Sequence, residues 1–390
     1  MQRPVLGALL ATALLLATGC SSDGGSDEPT GESPTKGGTS KPGASKSPTE
    51  PAPPAKGSAK VIRTVTEDLK SPWGLAALPD GDLVVASRDE GTLTRVDAKS
   101  GKKTEIGEVP GVTPGGEGGL LGLAISPDFA SDHMVYAYFT TDSDNRIARL
   151  IYDEGREPGN QLGAPNTVLR GIPKGSIHNG GRIAFGPDKM LYAGTGETGD
   201  RTLAQDKESL GGKILRMTPD GEPAPGNPFG EDSLVYSLGH RNVQGLAWDD
   251  KQRLWASEFG QDEFDELNAI APGGNYGWPE VEGKAESEDD RKRYADPVAQ
   301  WSTAEASPSG IAYAEGSVWM AGLRGERLWR IPLRGNKASA EPQAFFEGEY
   351  GRLRTVLAAG GDKLWLVTSE TDSRGTPAKG DDKILEVEVK

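Results

Sequence analysis

Apolar residues recur along the chain in a phrase that appears six times. Each copy has an apolar strand, a tight turn that often carries Pro-Asp, and a second apolar strand. The copies begin at Gly74, Gly122, Arg182, Gly245, Gly310 and Thr355. A third strand of common type follows each copy, at 92–96, 146–151, 213–217, 265–270, 327–331 and 383–389. Short apolar runs bounded by turn residues predict β-strands.

Six like units predict an all-β fold, a six-bladed β-propeller. A pair of β-sandwiches is the competing fold, but it gives no reason for six similar units. Residues 61–66 form one further predicted strand with no unit of its own. We predict that this strand pairs as the outer strand of the last blade, which closes the ring and protects the strand edges. We interpret the charge run 282–293 as a solvated outer-loop insertion, with a helix as the alternative.

The first sixty residues have a different pattern. A basic start, the apolar run 4–17 and Gly19 predict a secretory signal peptide over 1–20. The ending Leu-Ala-Thr-Gly-Cys resembles a bacterial lipoprotein signal, so we expect an extracytoplasmic protein anchored to the bacterial cell membrane through a lipid on Cys20. An ordinary signal peptide is the alternative. Residues 21–60 are rich in Ser, Gly and Pro and are expected to form a disordered tether, which leaves 61–390 as the propeller domain.

Charge and cysteine content narrow the classes of partner. The formal net charge is −15 at pH 7. Such a surface repels nucleic acid and anionic lipid, so we expect neither as a partner and expect membrane attachment through the lipid anchor only. Because Cys20 is the only cysteine, an intrachain disulfide is impossible.

The loops that enter the inner strands should carry the chemistry, since they converge on the mouth of a propeller channel. Loop 176–182 contains His178, and histidine is the usual general base near neutral pH. Gly180 and Gly181 would let the backbone approach a ligand closely. Glu197 could orient the imidazole, and Arg182 is expected to pair with acidic residues nearby. The alternative for His178 is a hydrogen-bonded loop histidine without a catalytic role.

Other loops add cations and carboxylates. Glu117 lies in a glycine-rich loop, and Arg241 and Asn242 precede the fourth inner strand beside a histidine, His240, that we interpret as structural. Arg352 and Arg354 share one strand face, which suggests an anionic ligand between them, with pairing to local Glu as the alternative.

The loop 257–268 is strongly acidic. It contains five carboxylates, among them Glu258, Asp265 and Glu266, and this hard-oxygen environment favours Ca²⁺. An acidic turn without a metal is the alternative. Tyr276 and Trp278, which follow, offer an aromatic platform for a ring.

Six motifs together give the sequence a family resemblance. They are Glu-Gly-Gly-Leu-Leu-Gly-Leu-Ala, His-Asn-Gly-Gly-Arg, Gly-His-Arg-Asn-Val-Gln-Gly, Asp-Glu-Leu-Asn, Asn-Tyr-Gly-Trp-Pro and Gly-Arg-Leu-Arg. With them the sequence resembles the soluble PQQ-dependent sugar dehydrogenases, the glucose, aldose and sorbosone dehydrogenase family, over nearly all of 61–390. The resemblance implies an oxidoreductase that uses PQQ and Ca²⁺ to oxidise aldose sugars at C1 to lactones. The particular sugar and the electron acceptor remain unassigned by sequence.

The resemblance also implies residue roles. His178 matches the general base that takes the proton from the sugar C1 hydroxyl as hydride passes to PQQ. The matched cofactor contacts are Arg241 and Asn242 at the quinone, Arg324, Arg352 and Arg354 at the carboxylates, and Tyr276 and Trp278 beside the cofactor or substrate. Gly260 and Gln261 match the carbonyl ligands of the calcium ion. Glu117 is a further expected cofactor contact, although it and Glu197 depart from the Gln and Asp of the glucose enzymes. The alternatives in other functional classes are a Ca²⁺-dependent propeller lactonase and a non-catalytic binding propeller.

Overall fold

The computed structural model describes residues 52–390, so the predicted signal peptide and Cys20 lie outside the described residues. The first strand is β1 (Ala59–Thr66). Blade 1 contains β2 (Pro72–Ala77), β3 (Leu83–Ser87), β4 (Thr92–Val96) and β5 (Lys103–Glu108). Blade 2 contains β6 (Leu120–Ile125), β7 (Met134–Thr140), β8 (Asn145–Ile151) and β9 (Asn166–Ile172), with the short helix α1 (Phe129–Asp132) after β6. Blade 3 contains β10 (Ile183–Phe185), β11 (Leu191–Gly194), β12 (Lys213–Met217) and β13 (Val235–Leu238), with a 3₁₀ turn at Arg201–Ala204.

The second half of the chain repeats the arrangement. Blade 4 contains β14 (Val243–Trp248), β15 (Leu254–Glu258), β16 (Phe264–Ile270) and β17 (Ala299–Ser302), with helix α2 (Glu288–Arg293) before β17. Blade 5 contains β18 (Pro308–Ala314), β19 (Ser317–Gly322) and β20 (Arg327–Arg334), and both β21 (Lys337–Ala338) and β22 (Gln343–Phe345) pair with β20. Blade 6 contains β23 (Leu353–Gly360), β24 (Lys363–Thr368) and β25 (Ile384–Val389), followed by β1. The six-bladed propeller is therefore confirmed.

Strand β1 closes the ring as predicted. It pairs antiparallel with β25, from Ala59 opposite Val389 to Thr66 opposite Ile384. The paired region begins earlier than the predicted start at residue 61. Ser58 and Lys390 exchange backbone hydrogen bonds of 2.9 and 3.0 Å, and the Gly57 N–H donates to the Gln343 side chain at 2.7 Å. Residues 57–60 thus belong to the propeller and not to the tether, because the edge of β25 offers backbone groups for them to pair with.

The inner strands lie close together around the axis, which explains the glycine in the repeated phrase. Hydrophobic clusters fill the space between neighbouring blades. Near the axis there is less room, and an added Cβ would meet the adjacent inner strand within 3 Å at Gly74, Gly122, Gly245 and Gly310. A side chain at these positions would push neighbouring blades apart. The glycines therefore set the spacing of the ring, and with it the positions of the loops that enter the inner strands.

The charge run includes a real helix. Ser287 caps α2 by accepting the Asp290 N–H at 3.0 Å, acidic residues occupy its first turn and basic residues its last. This order suits the helix dipole. The interpretation of this segment as a solvated outer-loop insertion is right about its exposure, since no residue of α2 is buried. The segment nevertheless contains a helix, which was the alternative. Within 52–390, no helix has the length and apolar character needed to cross a membrane.

Candidate active site

One contact recurs at the mouth of the channel. A carboxylate at or just after the end of the second strand of a blade contacts the loop that enters the inner strand of the same blade. The pairs are Asp89 with Ser71 Oγ (2.7 Å), Glu197 with His178 Nδ1 (2.7 Å), Glu258 with His240 Nδ1 (2.5 Å) and Glu370 with Arg352 N (2.7 Å). Carboxylates that lie between the last residue of the second strand and three residues beyond it therefore brace four of the loops that form the mouth.

His178 is held by its side chain and by its backbone. Glu197, only 1% exposed, accepts from Nδ1, and its other oxygen accepts the Gly199 N–H. A carboxylate on Nδ1 favours the tautomer with the proton on that nitrogen, which leaves the Nε2 lone pair free to accept a proton. Nε2 has no protein partner among residues 52–390 and is not sealed from solvent. The predicted pairing of His178 with Glu197 is present.

The backbone of His178 is in a conformation that non-glycine residues rarely adopt. Its φ is 53°, in the left-handed region. Its N–H donates to Glu117 Oε2 at 2.8 Å, and Arg374 binds the other Glu117 oxygen at 2.9 Å. Such strained backbone persists where surrounding contacts determine it. Glu117 therefore positions the histidine loop.

The glycines after His178 serve internal packing. An added Cβ would lie 2.5 Å from Thr195 Cα at Gly180, and 2.7 Å from the Leu121 side chain at Gly181. Their predicted role, close approach to a ligand, stays a prediction. They allow the histidine loop to lie against the neighbouring hairpin and strand.

Arg241 and Asn242 lie beside the histidine loop. The Glu197 N–H donates to the Arg241 carbonyl at 2.9 Å, and the Gly180 N–H donates to Asn242 Oδ1 at 2.9 Å. The Arg241 guanidinium donates to Gln261 Oε1 at 2.6 and 3.2 Å and to the Phe259 carbonyl at 3.2 Å. Burial lowers the pKa of Arg241, and four glutamates oppose that shift. The structure thus unites His178 and Arg241 at one site.

The acidic loop is organised by a residue that the sequence analysis did not single out. Glu282 Oε1 accepts four consecutive backbone N–H groups, those of Gln261, Asp262, Glu263 and Phe264, at 2.7, 3.0, 2.9 and 3.0 Å. Converging amides of this kind form an anion-binding nest. The carbonyls of Gly260 and Gln261 accept no hydrogen bond from the described residues, so both remain available as oxygen ligands. Gly260 cannot be replaced, because a Cβ would lie 2.0 Å from the Phe264 carbonyl oxygen.

Three of the predicted metal ligands use their carboxylate oxygens in hydrogen bonds within the protein. Glu258 accepts from His240 and from the Arg241 N–H, Asp265 from the N–H groups of Gly260 and Ser307, and Glu266 from Asn268 and the Gly283 N–H. Burial raises the pKa of Asp265 to about 6, and burial together with the Glu258 charge raises that of Glu266. No three His, Cys, Asp or Glu side chains come together as a metal group in 52–390. The metal assignment of these three carboxylates is therefore corrected: they buttress the loop.

Removal of the Glu282 carboxylate should loosen the loop. We expect Glu282→Ala to lower the free energy of unfolding by about 1 to 3 kcal/mol, because four N–H donors lose their shared acceptor. Urea denaturation with a constant m-value measures this. Glu286→Ala is the control, since Glu286 is exposed on the same segment. Equal stabilities of the two variants would contradict the role given to Glu282.

Arg352 and Arg354 already share an anion. Asp372 Oδ2 accepts from Arg352 Nη2 at 3.0 Å and from Arg354 Nη2 at 2.9 Å. Burial alone would raise the pKa of Asp372, but the two guanidinium groups lower it to about 2. The sequence suggested an anion between these two arginines, and the Asp372 carboxylate is such an anion within the chain. The alternative, pairing with local glutamate, holds only for the backbone N–H of Arg352, which donates to Glu370.

The aromatic platform consists of one ring. Trp278 lies 5.5 Å from the Arg241 guanidinium and 5.1 Å from that of Arg201. Tyr276 is 4% exposed, its hydroxyl donates to the Ala269 carbonyl, and its ring stacks on His240 at 4.7 Å. The prediction that Tyr276 flanks the ligand is corrected, because its ring supports the buried His240. The structural assignment of His240 holds.

The remaining predicted residues lie at the rim or below the mouth. Arg324 is exposed beside a depression that it shares with Arg352 and Arg374. The floor of the mouth is lined by Trp73, Gln244, Arg352 and Arg354. Arg182 was expected to pair with acidic residues, but its hydrogen bonds go to the Gln244 carbonyl and Thr355 Oγ1. That expectation is wrong, since the histidine loop turns Arg182 toward the axis.

Three polar atoms at this site are buried and have no partner in the described chain. They are Asn242 Nδ2, Trp278 Nε1 and Arg354 Nε. All three are donors, and unpaired buried donors are costly. With the arginines around them, they favour an anionic ligand that is rich in acceptors.

Comparisons with known proteins agree with this chemistry. The family model described as glucose/sorbosone dehydrogenase matches residues 69–376. The chain is 32% identical over 289 residues to quinoprotein glucose dehydrogenase B of Acinetobacter calcoaceticus, covering 65% of this chain and 59% of that protein's length. It is 34% identical over 237 residues to aldose sugar dehydrogenase YliI of Escherichia coli, covering 58% and 63%. The PQQ-bound form of aldose sugar dehydrogenase from Streptomyces coelicolor is 77% identical, with a TM-score of 0.85 over 87% of this chain and all of that chain. The chain therefore belongs to the glucose/sorbosone dehydrogenase family.

Proposed function

We propose that the protein oxidises aldose sugars at C1 to lactones with PQQ and Ca²⁺, and that His178 is the general base. The observation that carries the proposal is the His178–Glu197 pair. The buried Glu197 carboxylate fixes Nδ1 and leaves Nε2 without a protein partner among residues 52–390, and the Glu197 N–H binds the carbonyl of Arg241. The naming of two relatives as sugar dehydrogenases, and of one solved relative as PQQ-bound, supports the same reaction.

The donors at the mouth fit a planar polycarboxylate. Asn242 and Arg241 would contact the quinone oxygens, and Arg324, Arg352 and Arg354 would hold the carboxylates. The unpartnered donors Asn242 Nδ2 and Arg354 Nε would find acceptors there. When bound, PQQ supplies the acceptor for the hydride that leaves the sugar.

His178 performs the proton transfer in this proposal. Nε2 takes the proton of the C1 hydroxyl as the C1–H bond breaks, so the sugar loses a proton and a hydride and becomes the lactone. Glu197 stabilises the imidazolium that results, since it holds Nδ1–H at 2.7 Å. Arg241 is held by Gln261 and the Phe259 carbonyl, and its positive charge would stabilise negative charge on the quinone oxygens.

The calcium ion would bind the free carbonyls of Gly260 and Gln261. Both belong to the loop that Glu282 holds in place, and Ca²⁺ accepts carbonyl oxygens readily. Glu258, Asp265 and Glu266 then act behind the ligands. A Ca²⁺-dependent lactonase, the competing enzyme, would need several side-chain ligands on the axis, and residues 52–390 provide no such group.

Reconstitution tests the proposal. Purified protein given PQQ and Ca²⁺ should change the cofactor spectrum and reduce a dye in the presence of free aldoses. The matched methyl glycosides should be inert, because their C1 oxygen carries no proton for His178. A protein that binds PQQ but oxidises none of a wide panel of aldoses would favour a binding propeller. A protein that leaves the PQQ spectrum unchanged would refute the cofactor assignment.

The location of the protein is a separate proposal that rests on sequence. We propose that Cys20 is lipidated after export and anchors the protein to the bacterial membrane. Wild-type protein in a bacterial host should incorporate labelled fatty acid and partition into detergent. Cys20→Ser should abolish both while its dehydrogenase activity stays unchanged. Equal labelling of the two proteins would contradict lipidation at Cys20.

A further inference from the structure

The axial channel has a second opening, on the face opposite the mouth. All six inner strands start at the mouth, and each contributes residues to the wall of a cavity of about 310 Å³. This volume is at the lower end of the range for small-molecule pockets. We call this cavity the axial funnel. It is lined mainly by apolar side chains, namely Leu75, Ala77, Leu123, Ile125, Phe185, Leu246, Ile311 and Leu357.

The blind end of the funnel holds a buried cation. Arg182 is 7% exposed and lines the funnel, and its guanidinium carbon lies 4.4 Å from the centre of the Trp73 ring. Trp73 in turn forms part of the floor of the mouth. Arg182 and Trp73 therefore separate the funnel from the candidate active site.

No carboxylate among residues 52–390 forms an ion pair with Arg182. Its Nε and Nη2 donate to neutral oxygens, and Nη1 has no hydrogen-bond partner in that part of the chain. The charged group that acts on it is a second cation, Arg354, whose own charge is balanced by Asp372. Burial and Arg354 lower the pKa of Arg182 to about 9, so it remains a cation at neutral pH. A buried charge without a counter-ion is unfavourable, and an anion in the funnel would relieve it.

We propose that the axial funnel is a second ligand site, which binds a monoanion carried on a short apolar chain, such as a medium-chain carboxylate. The single cation accounts for one anionic head group. The apolar wall accounts for the chain, since burial of that chain removes apolar surface from water. This site is independent of the sugar oxidation proposed above, because it lies below Trp73 and shares none of the catalytic residues.

Calorimetric titration of the full chain, without PQQ, tests this site. The probe is sodium octanoate, and octanol is the uncharged control. We expect saturable one-to-one binding of octanoate, with octanol at least about tenfold weaker, because a charge-assisted hydrogen bond is absent. Bromide alone should bind more weakly than octanoate, since it cannot contact the apolar wall.

Substitutions distinguish octanoate binding in the axial funnel from unspecific binding of an amphiphile to the protein surface. Arg182→Met should weaken octanoate binding at least about tenfold, and Arg182→Lys should weaken it less, because a buried lysine loses its charge more readily than an arginine but keeps it at lower pH. Ala77→Trp narrows the exposed rim without touching Arg182 and covers the case in which Arg182→Met does not fold. Arg156→Met, on an exposed loop, is the matched control and should bind as the wild type does. Absence of saturable binding, equal binding of octanol or bromide, or wild-type affinity in both Arg182→Met and Ala77→Trp would overturn the proposal.

Discussion

Replacement of His178 by alanine should lower kcat for aldose oxidation by about 10² to 10⁴-fold, the usual contribution of a general base. The loss follows from the geometry: Nε2 is the free nitrogen of a ring whose other nitrogen is fixed by Glu197. Affinity for PQQ, measured by spectral titration, should change little, because the arginines and Asn242 hold the cofactor in the proposed arrangement. Dye reduction under saturating sugar measures kcat.

His133→Ala is the matched control, since His133 ends the short helix α1 far from the mouth. Glu197→Gln should lower kcat by about ten- to a hundredfold, as is common when the group that orients a functional histidine is changed. Added imidazole should partly restore activity to His178→Ala and not to Glu197→Gln. If His178→Ala kept wild-type kcat, the base assignment would fail, while the PQQ assignment would be judged by the spectrum alone.

The inner strands were predictable because their pattern is strong. The close approach of neighbouring blades requires glycine at the same place in four inner strands, and the apolar runs that follow are buried. The outer strands of blades 1 to 5 were missed, whereas β1, the outer strand of blade 6, was predicted. For example, β9 has one buried residue, Ile172, with two half-buried and four exposed ones, so no apolar alternation marks it. An outer strand is fixed by pairing to its neighbour, and pairing leaves little trace in a single sequence.

A site residue was predictable from sequence when its residue type is rare in the chain. The acidic residues that hydrogen-bond to the site residues were not predictable in this way. One of three histidines stands out in a chain of 390 residues, but Asp372 and Glu282 are two among 58 acidic residues. What selects them is their position in space, which depends on the closed ring. One signal was available: an acidic residue stands at or just after the end of the second strand in several blades, as in Ser257-Glu258 and Ser369-Glu370. Comparison of the repeats at that position would have indicated the brace on His240 and the one on the Arg352 loop.

Asp372→Asn should lower the free energy of unfolding by about 3 to 5 kcal/mol, the usual cost of removing one partner from a buried ion pair. Asp372 lies between Arg352 and Arg354, with a side chain 3% exposed, and its second oxygen accepts the Arg374 N–H. Without its charge, the guanidinium groups of Arg88, Arg352 and Arg354 repel one another in a buried setting. Thermal or urea unfolding of the cofactor-free protein measures the loss.

The Asp372 carboxylate should also make the free energy of unfolding depend on pH in the acid range. The pKa of Asp372 is about 2 in the folded protein against an ordinary value of 3.8. A lowered folded pKa contributes stability that is present above pH 3.8 and is lost as the pH falls toward 2. The variant should lack this part of the acid dependence. Asp128→Asn is the control, because Asp128 and Lys189 are 61% and 63% exposed in their ion pair and such pairs contribute little.

The cofactor links this stability effect to function. If Arg352 and Arg354 hold the carboxylates of PQQ, the ligand brings anions to the cations that Asp372→Asn leaves unbalanced. PQQ should then raise the melting temperature of the variant by more than that of the wild type, because binding to the folded state alone stabilises it. An equal rise in both proteins would mean that the two arginines are balanced by Asp372 alone and do not contact the cofactor.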